Sequence, residues 1–340
     1  MKKSLKPATN TLGDWAYLAI EQHFEKILKH EQDVLKDRHP ESLHQMRVGM
    51  RRLRSAVTGF APAIDLPKAA KEEKIGKIAR ILGKLRDLDV LEETLQNQYQ
   101  PNLPKSERKC LETVLDCLTK KRKHASEAVQ SALKAKGYEN LKQGLQKWLQ
   151  QPSYEPLAPM SINEVLPNLL LPSVSQLFLH PGWLVGVEMN EGAMNAPNPM
   201  ETDQVAQLLD EQGLALHSLR KQTKRSRYQM ELFTDFYEPN YTTYVDDLKE
   251  IQSILGQIQD SFVLAEFLTD ALDSEIQQEL PTLVEQLAQT RYQSWQQWQP
   301  LQTKYLKNEV RQALHLELLN PKSPSSTSDL GNVEQLAEQN

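Results

Sequence analysis

The chain has 340 residues, a formal net charge of −5, 39% hydrophobic and 6% aromatic residues, and only 13 glycines. That length suffices for one large domain or two ordinary ones with a real core, and a predominance of Leu, Gln, Glu and Lys favours helices, where these side chains lose little freedom. No apolar run approaches the roughly 18 to 20 residues of a membrane span, the opening MKKSLKPATNTLGDW lacks the apolar core of a signal peptide, and slight net acidity taken alone argues against a polyanionic partner.

Apolar residues recur at spacings of three and four through Trp15–Leu35, Leu43–Phe60, Ile75–Leu95 and Leu111–Leu149, which predicts helices there. Gly137 and Pro152 punctuate the end of this block. Ser161 to Leu179 reads as a further helix, broken at Pro167 and Pro172. From His180 the run HPGWLVGVEMNEGAMNAPNPMETD gathers Pro, Gly, Asn and Met, the composition of a loop or lid. Helical periodicity resumes at Val205–Phe236, Tyr244–Leu272 and Leu283–Leu319, and the Ser/Pro-rich tail from Pro321 is expected to be disordered. No strand alternation is evident. Cys110 and Cys117, seven apart on one helix face, read as buried reduced thiols of a cytoplasmic protein.

Charge is unevenly distributed. Residues 1–150 hold 29 Lys and Arg against 19 Asp and Glu, whereas residues 151–340 hold 11 against 26. Five of those 11 basic residues fall between Arg220 and Arg227. A basic cluster in an acidic background is the electrostatic footprint of a local binding surface.

The chain also repeats itself. LHQMRVGMRRLRSAVTGF from Leu43 aligns with LHSLRKQTKRSRYQMELF from Leu216, and ILGKLRDLDVL from Ile81 aligns with ILGQIQDSFVL from Ile254, both at an offset of 173 residues. Two blocks at one offset, with no gap between them, point to an internal duplication. We therefore expect an all-α protein built from two related halves. Its parts are an N-terminal segment 1–11, a first half 12–154, a second half 155–319 carrying the loop 180–202, and a tail 320–340.

Each repeat places His44, Arg47, Arg51 and Arg54, or His217, Arg220, Lys224 and Arg227, within an arc of about 80° on one helix face. Arg52 and Arg225 lie at the stripe's edge. Helices ordinarily relieve such repulsion with acids at i+4, yet residues 45–60 contain none, and the first acid after His217 is Glu231. The negative charge can come from neighbouring helices, with Asp87 and Asp260 as candidates, from water alone, or from a phosphate-bearing ligand that arginine forks grip in two-point fashion. Two copies suit a long polymeric anion. The histidines sit in register with three cations, which depresses their pKa unless an anion is bound. No nucleophile, metal or nucleotide motif accompanies them, so we expect no enzymatic activity, no cofactor and no metal. Lys77, Arg80, Lys84 and Arg86, together with Lys121 and Arg122 from a basic run, are secondary candidates.

The two His helices and the two LG…D segments resemble the CHAD domain, the conserved histidine α-helical domain, over about residues 12–319. The resemblance implies two four-helix bundles related by pseudo-twofold symmetry, whose motif helices line a shared basic cleft that binds inorganic polyphosphate. It implies a ligand-facing set of His44, Arg47, Arg51, Arg52, Arg54, His217, Arg220, Lys221, Lys224, Arg225 and Arg227. It further implies a cytoplasmic protein associated with polyphosphate granules. Many relatives also carry a CYTH domain, for which these 340 residues leave no room. Gln257 stands where the repeat places Lys84, so the first half should supply most of the cations. Rival readings are a nucleic-acid-binding helical protein, against which the scarcity of aromatics beside the stripes argues (Tyr228 being the exception), a polyphosphate or nucleotide hydrolase, which lacks an acidic metal cluster, and a scaffold whose stripes are internally neutralised. The sequence leaves open whether polyphosphate-metabolising enzymes are partners; no membrane partner is expected.

Overall fold

The structure is a computed structural model that describes residues 10–190, 193–195 and 200–322. Eleven α-helices are present among them: α1 (Leu12–Leu35), α2 (Pro40–Gly59), α3 (Glu72–Thr94), α4 (Lys105–Lys134), α5 (Lys136–Gln150), α6 (Ile162–Phe178), α7 (Thr202–Glu231), α8 (Pro239–Leu272), α9 (Ile276–Glu279), α10 (Pro281–Leu306) and α11 (Asn308–Leu319). Local chemistry sets several starts. The Thr11 hydroxyl accepts the Asp14 amide at 3.2 Å to cap α1, and Glu201 and Gln204 form a reciprocal capping box on α7. Pro40, Pro239 and Pro281 open α2, α8 and α10, where the missing N–H costs nothing.

Several expectations need correction. The single helices expected over Leu111–Leu149 and Leu283–Leu319 are each divided, at Ala135 and at Lys307. The helix α6 is not broken at Pro167 and Pro172 but continues through both. It is docked on α7, whose Gln229 and Ser226 side chains donate to the Leu169 and Ser173 carbonyls at 3.0 Å. The segment after α6 contains a short 3-10 turn, Pro181–Leu184, and an antiparallel hairpin of Glu188–Asn190 with Ala193–Asn195 that no alternation announces. Cys110 and Cys117 are free but half-buried rather than buried. The expected disordered tail falls almost wholly outside the described residues.

The helices pack in sequence order, α1 on α2, α2 on α3 and α3 on α4, then α6 on α7, α7 on α8 and α8 on α10, with α11 returning to α6. The tight α1–α2 approach depends on Gly49, where a Cβ would lie 3.1 Å from Ile27 and 3.4 Å from the His23 carbonyl. The starts of α1 and α6 are tied together, Leu12 donating to the Met160 carbonyl and Ile162 to that of Asn10.

Two contacts join the α2–α3 and α7–α8 layers. At one, the C-terminal ends of α2 and α7 meet, with Phe60 and Phe233 edge-to-face at 5.2 Å. At the other, a separate apolar cluster unites Leu95, Leu111 and Leu118 with Leu264, Leu268 and Leu283. Glu107 of α4, 4% exposed, accepts the Thr282 and Leu283 amides at 3.1 Å, placing a carboxylate on the N-terminus of α10. Apolar packing therefore joins α2 to α7 directly beyond the ends of their charged stretches, and joins the neighbouring α3–α4 and α8–α10 helices at the other contact.

The same packing buries His23 on α1. Loss of hydration, reinforced by Arg52 and Lys26, lowers its pKa from 6.5 to about 4. The unfolded chain thus takes up this proton first. Its contribution is full above pH 6.5 and is lost as pH falls toward about 4, a change on the order of 3 kcal/mol. Denaturant unfolding between pH 7 and 4 should show this loss, and His23→Gln should remove that part of the slope.

Candidate functional site

The stripes emerge on the faces of α2 and α7 that look toward one another. Leu43, Met46, Met50 and Leu53 bury one side of α2, while Leu216, Leu219, Thr223, Ser226 and Met230 bury one side of α7. The cations are thereby placed on the adjoining flank of each helix, centred about 100° round from the apolar side. His44, Arg47, Arg51, His217, Arg220 and Lys224 are all half-buried, whereas Arg52, Arg54, Lys221 and Arg225 are exposed.

Glycines on the neighbouring helices make room for the arginines. The side chain of Arg47 crosses α3 at Gly83, where a Cβ would stand 3.7 Å from its Nε, and Arg220 crosses α8 at Gly256, where the corresponding distance is 3.2 Å. One helical turn further on, Nη2 of Arg47 reaches Asp87 at 3.8 Å and Nη2 of Arg220 reaches Asp260 at 3.9 Å. The same arrangement thus occurs at both ends of the 173-residue offset. At these distances the pairs are Coulombic contacts rather than hydrogen bonds, and each carboxylate is 73% exposed. Asp87 and Asp260 therefore moderate the stripes without closing them.

The stripes end differently. Arg54 pairs with Glu72 of α3. Arg227, 7% exposed, pairs with Glu231 on its own helix and donates from Nε to Gln252 at 3.1 Å. Position 231 thus supplies an acid at i+4 after all, and Arg227 is turned inward rather than onto an open face. Between these ends the cations gather. Lys224 has its pKa lowered to about 8 by burial and by Arg47, Arg220 and Arg51, against the opposing pull of Asp87. Among the described residues no carboxylate lies within 4 Å of Lys224, Arg51, Arg52, Lys221 or Arg225. Tyr228 lies among them, with the Arg51 and Arg227 guanidinium carbons each 4.5 Å from its ring centre.

Both motif histidines are shifted as the register with cations predicts, though burial leads. His44 is lowered by burial and by Arg86, Arg47 and Arg51, with Glu41 opposing. His217 is lowered by burial and by Lys221 and Arg220, with Asp260 opposing. The two motif helices and the two LG…D helices thus form one electrostatic unit.

The secondary candidates separate into two groups. Lys77, Arg80 and Lys84 are exposed on α3, and Arg86 lies beside His44 with Glu93 at 3.9 Å. Lys121 instead sits over the Phe267 ring at 4.6 Å. Arg122 is held by hydrogen bonds of 2.8 to 3.0 Å to Asp37 and Asp89, an internal network. Gln257, which replaces Lys84 at the repeat position, accepts from Ser294. Lys26 of α1 was not singled out from the sequence; it is lowered by burial and by Arg52, which brings it to the stripe's edge. The remaining concavities are open. A groove of about 510 Å³ along α10 includes Tyr292, Gln296 and Lys307 but no stripe residue, and one of about 330 Å³ between α7 and α8 includes His217. No cluster of three or more metal-ligating side chains and no helix long and apolar enough to cross a membrane occur among the described residues.

An all-helical architecture with paired His/Arg helices defines a class, and the family profile of the CHAD domain matches residues 18–269. The chain belongs to the CHAD-domain family. The crystal structure of the CHAD domain from the plant Ricinus communis is similar with a TM-score of 0.56 and 24% identity, over 94% of this chain and 97% of that one. PptA from Streptomyces chartreusis is similar with a TM-score of 0.56 and 15% identity, over 85% of this chain and 100% of that one. No curated protein sequence gives a significant match.

The glycine cradles can be tested separately from the charges. Gly256→Ala should leave stability unchanged or raise it by up to ~1 kcal/mol through helix propensity, yet weaken any binding of inorganic triphosphate by displacing Arg220. Gly83→Ala, with the looser contact to Arg47, should leave binding within about twofold. Calorimetric titration beside denaturant unfolding checks both.

Proposed function

We propose that the protein binds inorganic polyphosphate along a basic cleft formed between α2 and α7, without catalysing a reaction on it. The observation that carries this reading is the convergence of Lys224, Arg47, Arg51 and Arg220, opposed among the described residues by only the loose contacts of Asp87 with Arg47 and Asp260 with Arg220; burial first, and the neighbouring cations second, lower the lysine to about 8. Clustered cations held together by packing are a preorganised receptor for an anion, because repulsion already present in the free protein is relieved on binding. Membership of the CHAD family supports phosphate polymer as that anion. The open, elongated character of the site suits a chain better than a compact ligand, and we read the 173-residue repeat as two halves presenting equivalent stripes to one chain. The ligand-facing set is then His44, Arg47, Arg51, Arg52, His217, Arg220, Lys221, Lys224 and Arg225, with Arg54 and Arg227 anchoring the stripe ends. Lys84, Lys77 and Arg80 extend the surface on the first half. Association with polyphosphate granules in the cytoplasm, and recruitment of polyphosphate-metabolising enzymes, would follow from such binding.

The scaffold reading accounts for Arg54, Arg227 and Arg122, which have carboxylate partners in Glu72, Glu231 and the Asp37–Asp89 pair, but not for the centre of the site. Nucleic-acid binding is disfavoured because Tyr228, the aromatic beside the stripes, is already stacked on by arginines and offers no free platform for a base.

Two substitutions separate receptor from scaffold. Lys224→Met should leave the melting temperature of the free protein unchanged or raise it, and should reduce the stabilisation given by long-chain polyphosphate, which for an intact site is ~2.7 kcal/mol at a hundredfold excess over Kd. Arg122→Met should cost about 3 kcal/mol, because it strands the buried Asp89 carboxylate, while the response to polymer persists. Thermal-shift series with and without polyphosphate measure both. Destabilisation by Lys224→Met with an intact polymer response would favour the scaffold.

A further inference from the structure

Tyr228 stands where the two stripes meet, and its surroundings differ from anything the repeat requires. At the position that the 173-residue offset pairs with it stands Ser55, so the ring is present once, not twice. Three cations converge on it. The guanidinium carbon of Arg51, from α2, lies 4.5 Å from the ring centre, that of Arg227, from α7, lies at the same distance, and Nζ of Lys224 lies at 5.9 Å. Arg227 is in turn fixed by Glu231 and Gln252. A chain of contacts therefore runs from an anchored acid on α7, through Arg227 and the tyrosine ring, to an arginine of the other motif helix.

The chemistry of that last contact differs from an ion pair. A carboxylate holding Arg51 would occupy the N–H fork and cancel its charge, as Glu72 does for Arg54. An aromatic face attracts the guanidinium through its quadrupole and leaves the five N–H donors and the full charge free. Among the described residues no acceptor is hydrogen-bonded to Arg51 and no carboxylate is within 4 Å of it, so the fork is open to an incoming phosphate. Rotational freedom that a long side chain would lose on binding is already lost.

We propose that Tyr228 is a positioning residue that presents Arg51 at the crossing between the two stripes, and so gives the site its preference for an unbranched phosphate chain running through both halves. The inference rests on the polyphosphate reading. The second stripe, from His217 to Lys224, spans roughly 10 Å at 1.5 Å per residue, long enough to hold a triphosphate without Arg51. A longer chain must pass the junction, where Arg51 bridges the gap. Tyr228 acts through Arg51 and need not touch the ligand.

The test is the ratio of affinities for long-chain polyphosphate and inorganic triphosphate, measured by calorimetric titration on the full chain. Wild-type binding of the polymer tests the underlying reading; the change of ratio in variants tests the role of Tyr228. Tyr228→Leu should lower the ratio by roughly 3- to 30-fold, the range of a cation–π contact that is partly desolvated. Tyr228→Phe, which keeps the ring, should preserve the ratio within about twofold. Arg51→Lys keeps the charge but loses the flat stack and the fork, and should copy Tyr228→Leu; it decides the question should the leucine variant fail to fold. A ratio unchanged in Tyr228→Leu, unchanged in Arg51→Lys, or lost equally in Tyr228→Phe would overturn the proposal, as would a wild-type protein that binds polymer and triphosphate alike.

Discussion

Mutual repulsion among Arg47, Arg51, Arg220 and Lys224 is the constraint around which the rest of the molecule is arranged. Four cations drawn from two helices share a region where burial and their own fields bring a lysine down to about 8. Left to themselves they would drive α2 and α7 apart. They are kept together because apolar contacts act where the charges do not: Phe60 against Phe233 at one end, and the Leu111–Leu283 cluster with the Glu107 cap at the other. The site's helices are therefore joined directly at one end and, at the other, through the neighbouring α3–α4 and α8–α10 helices, by contacts that no anion would disturb.

Within that frame each basic residue is distinguished by the chemistry of its partner. Carboxylates close the forks of Arg54, Arg227 and Arg122, making them structural. Loose contacts at 3.8 and 3.9 Å leave Arg47 and Arg220 guided but accessible, with exposed aspartates that a stronger anion can outcompete. An aromatic face holds Arg51 with its charge intact. The histidines, kept neutral by burial and neighbouring cations, can accept a proton when an anion arrives. A graded series of partners, from full pairing to none, converts a uniform stripe in sequence into a site with anchors and open positions.

Much of this was legible from residue spacing. Helical periodicity located the helices because Leu and Ile recur on one face, and the missing acids between Gln45 and Phe60 exposed the charge imbalance. Asp87 and Asp260 could be named as partners since they lie in the repeated blocks. What spacing could not supply were relations between helices. α6 runs through its two prolines while packed on α7, and the breaks between α4 and α5 and between α10 and α11 occur at Ala135 and Lys307, which are ordinary helix formers. Gly83 and Gly256 were visible as a repeated pair, yet their purpose appears only when Arg47 and Arg220 are seen lying across them. Tyr228 read as a stray aromatic for the same reason: the arginine that stacks on it comes from the opposite motif helix.

The central claim is that the site holds cations in excess of its own anions, and proton linkage tests it most directly. In the free protein Lys224 titrates near 8, and a bound polyanion must raise it. Calorimetric titration of long-chain polyphosphate at pH 8, in buffers of differing ionisation enthalpy, counts the protons exchanged. The account predicts net uptake, on the order of half a proton from Lys224 alone, and a smaller uptake in Lys224→Met. Binding with no proton uptake, or with release, would mean that the cations were already neutralised within the protein, and would contradict it.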